Sequence, residues 1–591
     1  MSKLLRALLR VSTFSVVSTP SLVSTGSVVS TRSVVSTARY VSAWPAISTL
    51  AIVSVLSMAG GLLAKAGTID EKLVSQLNQA PPHEHVTGLV MLTEQLDLRE
   101  LEAAMAGAGI GARADRHRTV LEAARSLARR TQAPILEALR SRTAGEVAGW
   151  RSYWITNMIE VTARPEVFTA LALRPEVGLM LAEQPVELRA FGPQPAGGAV
   201  PRARSLPDGL LAINAPSAWD RGYTGEGRLV CSFDTGADGA HPAYAERWRG
   251  AEPGVPWYHC WRDPYTGSQF PYDAETHGTH VLGIMTAAPP GEDPLGVAYG
   301  SRWIAAGTLI GWNVQRIIEA YEWAADPDSN FATIDDVPDV INNSWGTPDD
   351  CASTFWNAID VVEAAGIVNV ISVDNRGPAP ASVNSPESRA DGPYRNFSVG
   401  NVDPHEPGYP IFYSSGRGPS PCDMTSIKPE LTAPGTLIRS TMPNGLYGER
   451  TGTSQAAPHV SGAAAILRQV NPELTVEQVK EAILATAADL GAAGEDNDYG
   501  HGILDVGAAV DYVLANYPHI APPRDLGGEA AGDSVLLSWL EPLDVSPENP
   551  LAGYRIYRTL SGIPFPPEPI AEIGPGNPSY VDPDLPNGDY R

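Results

Sequence analysis

Three short polar stretches carry the chemistry open to this sequence. The first is Asp234-Thr235-Gly236, directly after the apolar run Leu229–Phe233. A carboxylate there can orient an imidazole and stabilise its charged form, or simply cap a turn. The second is His277-Gly278-Thr279-His280, followed by apolar residues. An imidazole at the mouth of a helix can serve as a general base near neutral pH. The pair His277 and His280 also raises a metallohydrolase reading. However, H-x-x-H without Glu is not the zincin pattern, and a metal needs further ligands. The third stretch is Thr451-Gly452-Thr453-Ser454-Gln455-Ala456-Ala457-Pro458-His459-Val460, where small residues crowd around Ser454. A serine at a helix N-terminus sits in positive partial charge, beside N–H groups that suit an oxyanion. Its plain alternative is an N-cap. Carboxylate, imidazole and hydroxyl together form a set for nucleophilic acyl transfer.

Local patterns indicate the elements that must hold these groups. Leu229–Phe233 reads as a short buried strand, so Asp234 falls at a strand's C-terminal end, where parallel α/β sheets keep their sites. A helix is expected from about His277. A second follows Ser454, with its apolar face running through Ala463–Leu467 to about Val470.

The order Asp234, His277, Ser454 is that of subtilisin among the serine-triad folds. The chain resembles subtilisin-like serine peptidases, and within them the bacillopeptidase F-like branch. The stretches that carry the likeness are Trp219–Gly227, Asp234–Gly236, Tyr272–Ile284, Val340–Gly346, Phe412–Ser420, Lys428–Ser440 and Gly452–Gly462. The resemblance implies an α/β, three-layer fold with a parallel central sheet over residues 208–515. It also implies a secreted endopeptidase, made as a zymogen and acting on proteins or peptides. Ser454 would be its nucleophile, His277 its base and Asp234 the orienting carboxylate. Asn375, in Val373-Asp374-Asn375-Arg376-Gly377-Pro378, stands where the family has its oxyanion asparagine. Val373 and Asp374 replace the family's usual Ala and Gly. Asp374 opposes the oxyanion if its carboxylate faces the cleft, and not if it points away. Ser344-Trp345-Gly346 would line the cleft, its backbone pairing with an extended substrate. The alternative for Trp345 is a buried structural side chain. Gln455 stands where Met is usual. No cofactor takes part in such chemistry. Calcium often stabilises the family, but Asp496-Asn497-Asp498 is short, lacks the EF-hand pattern and reads as a turn, so no calcium site is assigned.

The rest of the chain fits this reading. Lys and Arg number 42 against 67 Asp and Glu, a net charge of −25. Residues 1–66 carry a net +6, residues 67–205 are neutral, and the remainder carries −31. So acidic a chain repels phosphate, which excludes nucleic acid as a partner, and a soluble monomer is expected. Residues 1–66 read as a targeting segment. A repeated V-V-S-T-like unit precedes a mainly apolar run, Ala46 to Leu63, that ends in Ala64-Lys65-Ala66. This matches a secretory signal cleaved after Ala66. A membrane anchor is the lesser alternative, weakened by Ser48, Thr49, Ser54, Ser57 and the Gly60-Gly61 pair.

Residues 67–192 read as a compact α+β unit. Strands are expected at Val86–Leu92, Trp154–Val161 and Gly178–Leu181, and helix over Leu98–Arg142 with a break near Gly107–Gly111. Gln132-Ala133-Pro134-Ile135-Leu136 and Trp154-Ile155-Thr156-Asn157 resemble the branch's propeptide, which implies a folding assistant and intramolecular inhibitor. The Pro/Gly/Arg-rich linker 193–207 is the expected site of release. Residues 522–591 resemble part of a fibronectin type III module, with strand-like alternation around Trp539 and Tyr554. Export permits disulfides among Cys231, Cys260, Cys351 and Cys422, with three pairings open. Cys231, inside an apolar run, reads as a buried free thiol. Two further competitors remain: an inactive homologue that binds peptides in the same cleft, and an adhesin acting through the C-terminal module.

Overall fold

The computed structural model describes residues 67–183, 186, 206–311, 313–392, 395–519, 523–531, 534–541, 551, 553–558 and 569–583. The expected leader, 1–66 with cleavage after Ala66, lies outside the described residues, as does the linker 193–207 up to residue 205.

Residues 67–186 form an α+β unit. Strands β1 (Thr68–Ile69), β2 (Val86–Leu92), β3 (Val147–Tyr153), β4 (Met158–Ala163) and β5 (Val177–Ala182) make one sheet in the order β1-β5-β2-β4-β3. Only β1 and β5 run parallel. Helices α1 (Glu71–Gln79), α2 (Leu98–Gly107), α3 (Arg113–Arg140) and α4 (Pro165–Ala172) pack with it. The helical break falls where glycines predict it, between α2 and α3, with Gly109 at φ +71°. The strand expected over Trp154–Val161 begins only at Met158, in β4, and Trp154–Asn157 is the turn that joins β3 to it. Asn157 takes φ +42°, a left-handed conformation that asparagine tolerates better than most residues. Gln132 donates Nε2 to the Tyr153 carbonyl at 2.9 Å and to Asn157 Oδ1 at 3.1 Å, so the two propeptide-like motifs meet at this turn. Strand alternation gives the sheet two apolar faces. Val90 and Met180 fill the unit's own core, while Leu89 and Leu181 join the core of the body that follows.

That body is built on seven parallel strands: β6 (Leu229–Phe233), β7 (Trp261–Arg262), β8 (Arg302–Ala306), β9 (Val340–Asn343), β10 (Val368–Ser372), β11 (Phe397–Val402) and β12 (Leu431–Pro434). Their order is β12-β11-β10-β9-β6-β8-β7. Every residue of β6, β9, β10, β11 and β12 is buried, as a parallel sheet covered on both faces requires. One covering layer holds α5 (His277–Thr286). The other holds α6 (Val314–Ala325) and α7 (Trp356–Ala364). A hairpin of β13 (Ile438–Met442) and β14 (Leu446–Arg450) packs on α5. The layer of α5 is completed by α8 (Thr453–Val470), α9 (Val476–Ala485) and α10 (Val506–Asn516). The parallel sheet and its helices bear out the α/β expectation.

In the C-terminal region, Arg524–Ala531, Ser534–Leu540 and Ser579–Asp582 form an antiparallel sheet, and Tyr554–Ile556 pairs with Ala571–Ile573. Trp539 and Tyr554 are both buried and meet edge to face at 5.0 Å. Cys351 and Cys422 form a disulfide, whereas Cys231 and Cys260 are buried free thiols. Among the described residues no helix is long and apolar enough to cross a membrane.

Candidate active site

Parallel register brings three chain segments to one sheet edge. Phe233 pairs with Asn343, and Asn343 with Ile371, so Asp234, Ser344 and the loop holding Asn375 all leave the C-terminal ends of adjacent strands. Asp234 is fully buried. Its Oδ1 accepts the Thr235 N–H at 2.7 Å and bonds to His277 Nδ1 at 2.8 Å. A carboxylate oxygen accepts from an imidazole N–H, so with Nδ1 as the donor the Nε2 lone pair is left as a base.

The residues after Asp234 anchor the helix that bears His277. Gly278 N–H donates to Thr235 Oγ1 at 3.0 Å and Thr279 N–H to Asp273 Oδ2 at 2.7 Å, so two first-turn donors of α5 are satisfied from outside the helix. Thr235 Oγ1 in turn donates to Asp273 Oδ1 at 2.7 Å. The approach is close. A Cβ on Gly278 would fall 2.0 Å from the Gly236 carbonyl oxygen, which no side chain tolerates.

Ser454 is the second residue of α8, in the layer of α5, against which α8 packs. Its hydroxyl turns to the Ser344 carbonyl at 3.5 Å rather than bonding to His277. Catalytic hydrogen bonds often tighten only when substrate binds. Pro458, four residues on, has no N–H, so it cannot supply the helical hydrogen bond to the Ser454 carbonyl. Ser344 Oγ supplies one instead, at 3.1 Å, and itself accepts from Asn342 Nδ2 at 3.0 Å. Ser461 Oγ completes the chain by donating to Asn342 Oδ1 at 2.9 Å. The nucleophile-bearing peptide is thus tied to β9 by side chains. Local sequence patterns give no sign of this tie, apart from the proline.

Asn375 lies against the same helix start. Its Oδ1 accepts the Thr453 N–H at 3.0 Å, so its carboxamide is held at the first turn of α8. Carboxamide and helix-start N–H groups are the donor types that an oxyanion site uses. Asp374 takes φ +74°. Its Oδ1 accepts the Asn375 N–H at 2.5 Å, and its Oδ2 pairs with Arg376 Nε at 2.9 Å. The carboxylate expected to oppose an oxyanion is therefore neutralised by the residue two positions on.

Trp345 is buried and meets Phe355 edge to face at 5.0 Å, so the Ser344–Gly346 segment can offer a substrate its backbone but not the indole. Gln455 is buried beside Gly452. His280 is buried under the hairpin, its Nε2 3.0 Å from the Ile438 carbonyl and 3.3 Å from that of Gly448, so that nitrogen carries the proton and is not a ligand atom. Burial pushes its pKa well below the usual imidazole value. Asp496 Oδ1 accepts the N–H groups of Asp498 at 2.8 Å and Tyr499 at 2.7 Å, forming the turn read from the sequence. Among the described residues, no group of three or more His, Cys, Asp or Glu side chains is arranged to hold a metal.

Comparison with known proteins gives this geometry a family. Residues 225–502 match the model of the subtilase family, Peptidase_S8. The chain is 33% identical over 410 residues to bacillopeptidase F of Bacillus subtilis (strain 168), which covers 65% of this chain and 28% of that protein. It therefore spans little more than a quarter of bacillopeptidase F. It is 32% identical over 310 residues to subtilisin of Bacillus pumilus, covering 52% of this chain and 99% of that protein. It is 33% identical over 310 residues to subtilisin E of Bacillus subtilis (strain 168), covering 52% and 72% respectively. With nearly the whole of one subtilisin matched, the chain belongs to the subtilase family of serine peptidases.

Proposed function

We propose that the chain is a secreted serine endopeptidase made as a zymogen. The observation that carries this reading is the buried Asp234–His277 pair, 2.8 Å apart, at a sheet edge shared with the start of the Ser454 helix. In the reaction, His277 Nε2 takes the Ser454 proton as Oγ attacks the scissile carbonyl. Asp234 stabilises the imidazolium, which then protonates the leaving amine. The Asn375 carboxamide and the Ser454 N–H stabilise the oxyanion. Water repeats the sequence on the acyl-enzyme. The backbone of Ser344–Gly346 pairs with the substrate strand.

The unit at 67–186 acts as the propeptide. Charge complementarity supports this, because its basic side chains meet carboxylates of the acidic body. Arg113 pairs with Asp339 at 2.5 Å, both nearly buried, and Lys72 with Asp349 at 2.6 Å. Arg125 pairs with Asp326 and Arg151 with Glu319. Glu322 accepts the N–H groups of Trp154 and Ile155. The linker 193–207 is then the release site. The apolar run before Ala66 and the Cys351–Cys422 disulfide favour export into an oxidising compartment. The mature enzyme acts as a monomer, and the C-terminal strands as a fibronectin type III-like spacer or binding module.

The test expresses the full chain beside Ser454→Ala. The wild type should separate within 193–207 and take up a fluorophosphonate, while the variant does neither. Wild-type protein that stays unlabelled after external trimming of the first unit overturns the reading in favour of an inactive homologue.

A further inference from the structure

The oxyanion loop and the wall opposite it are joined beside Ser454. Arg376, next after Asn375, reaches across with Nη2 to the Thr347 carbonyl at 3.2 Å and with Nη1 to Asp350 at 2.8 Å, while Nε stays on Asp374. Asn384 donates Nδ2 to the same Thr347 carbonyl at 2.7 Å. Its carboxamide lies flat on Gly346, where an added Cβ would fall 2.7 Å from Nδ2. Segments 344–347 and 374–376 therefore face each other beside the nucleophile, joined by Arg376.

Next to these segments lie buried acceptors with no partner from another residue. Asn384 is 1% exposed, and among the described residues its Oδ1 has no hydrogen-bond partner. Glu387, three residues on, is wholly buried, and among the described residues no other residue donates a hydrogen bond to either of its carboxyl oxygens. Burial, and then the Asp374 carboxylate, push Glu387 well above the usual carboxylate range, and its own backbone N–H, Arg376 and Lys428 offset only part of this. Lys428 is already bonded to Glu430. Asp350, Asp374 and Glu387 thus stand against one cation, Arg376.

Resting on the peptidase reading above, we propose that the space between these segments is a slot for the side chain on the acyl side of the scissile bond, and that Asn384, Glu387 and Asp350 make it select arginine or lysine. The carbonyl oxygen that Asn375 would stabilise belongs to that substrate residue, so its side chain leaves the backbone next to the slot. A guanidinium brings five donors and an ammonium three, and either supplies the charge that a buried carboxylate lacks. A leucine would leave the same acceptors unpaired, and a glutamate would add a fourth carboxylate. The chain's own linker fits. The only charged residues within 193–207 are Arg202 and Arg204, in the segment where release is expected.

The test uses the full chain after release of its first unit. Fluorogenic peptides differ only in carrying Arg, Lys, Leu or Glu on the acyl side, and active enzyme is counted with a fluorophosphonate. Arg and Lys should exceed Leu in kcat/KM by at least about tenfold, and Glu by more. Glu387→Gln should lower the Arg-to-Leu ratio about tenfold. Asp350→Asn, at an exposed side chain whose ion pair contributes little to folding, should lower it about threefold. Labelled enzyme that prefers Leu or Glu, or an Arg-to-Leu ratio unmoved in Asp350→Asn and in any folded Glu387→Gln, overturns the assignment alone. Absence of labelling removes the peptidase reading, and the assignment falls with it.

Discussion

Ser344→Ala tests how the nucleophile is held. The Ser454 carbonyl is buried, and Pro458 denies it a helical donor, so the Ser344 hydroxyl at 3.1 Å is what satisfies it. Removing that hydroxyl leaves a buried carbonyl unpaired, at a cost of about 1–3 kcal/mol in folding stability. The freed peptide is the one that carries Oγ, and a misplacement of about 1 Å at a reacting group can cost about 10²-fold in rate. A fall of roughly tenfold or more in kcat is therefore expected alongside the stability loss. The decisive arm is a double-mutant cycle with Pro458→Ala, which gives α8 an N–H aimed at the same carbonyl. Ser344→Ala should then cost at least about 1 kcal/mol less than in the proline background. Effects of the proline on the unfolded chain, and the loss of the Asn342 contact, appear on both sides of the cycle and cancel. Urea unfolding, read in a His277→Ala background to stop self-digestion, measures it. Costs that agree within about 0.3 kcal/mol in the two backgrounds would refute the reasoning.

Asn375→Ala should lower kcat/KM by about 10²–10³-fold, and Asn375→Asp, which keeps the acceptor for Thr453 but loses the donor, should do no better. Peptide kinetics on titrated enzyme decide this, and near wild-type rates for Asn375→Asp would place the oxyanion donor elsewhere. Burial pushes the His459 pKa down to about 4, from a value near 6.5 in an unfolded chain. Below about pH 6.5 the unfolded chain binds a proton that the folded one refuses, so stability falls toward pH 4 by up to about 1.4 kcal/mol per unit. Urea midpoints at pH 7, 6 and 5 should show that slope flattened in His459→Leu, and an unchanged slope would remove His459 as its source. The Cys351–Cys422 bridge joins residues 71 apart in sequence, for which loop entropy predicts about 4 kcal/mol. Cys351→Ser with Cys422→Ser should lower the thermal midpoint, and no change would mean the bridge is not formed in solution.

The side chains placed for chemistry could be read from the sequence because each sits at a boundary that local pattern marks. Asp234 ends a buried strand, and His277 and Ser454 open helices whose apolar faces follow them. Groups that hold them are set by neighbours in space. Ser344 and Ser454 are 110 residues apart, and only the parallel pairing of β6, β9 and β10 brings Ser344 to the site. Trp154–Asn157 misled because its apolar pattern reads on into β4, while the φ +42° that Asn157 adopts turns the chain. Trp345 was open between cleft and core until Phe355 was seen to cover it. Asp374 is the instructive case. Beside Asn375 it reads as a charge opposed to catalysis if it faces the cleft and as harmless if it points away, but Arg376 stands two positions on, and in a loop bent at φ +74° the two side chains meet at 2.9 Å. The same arginine then spans to the Thr347 carbonyl, so a residue that departs from the family's pattern is tied to the segment that follows Ser344. Taken with its neighbour, the departure is part of a link between the two segments beside Ser454. Catalytic competence and side-chain preference therefore have to be tested on the same loop.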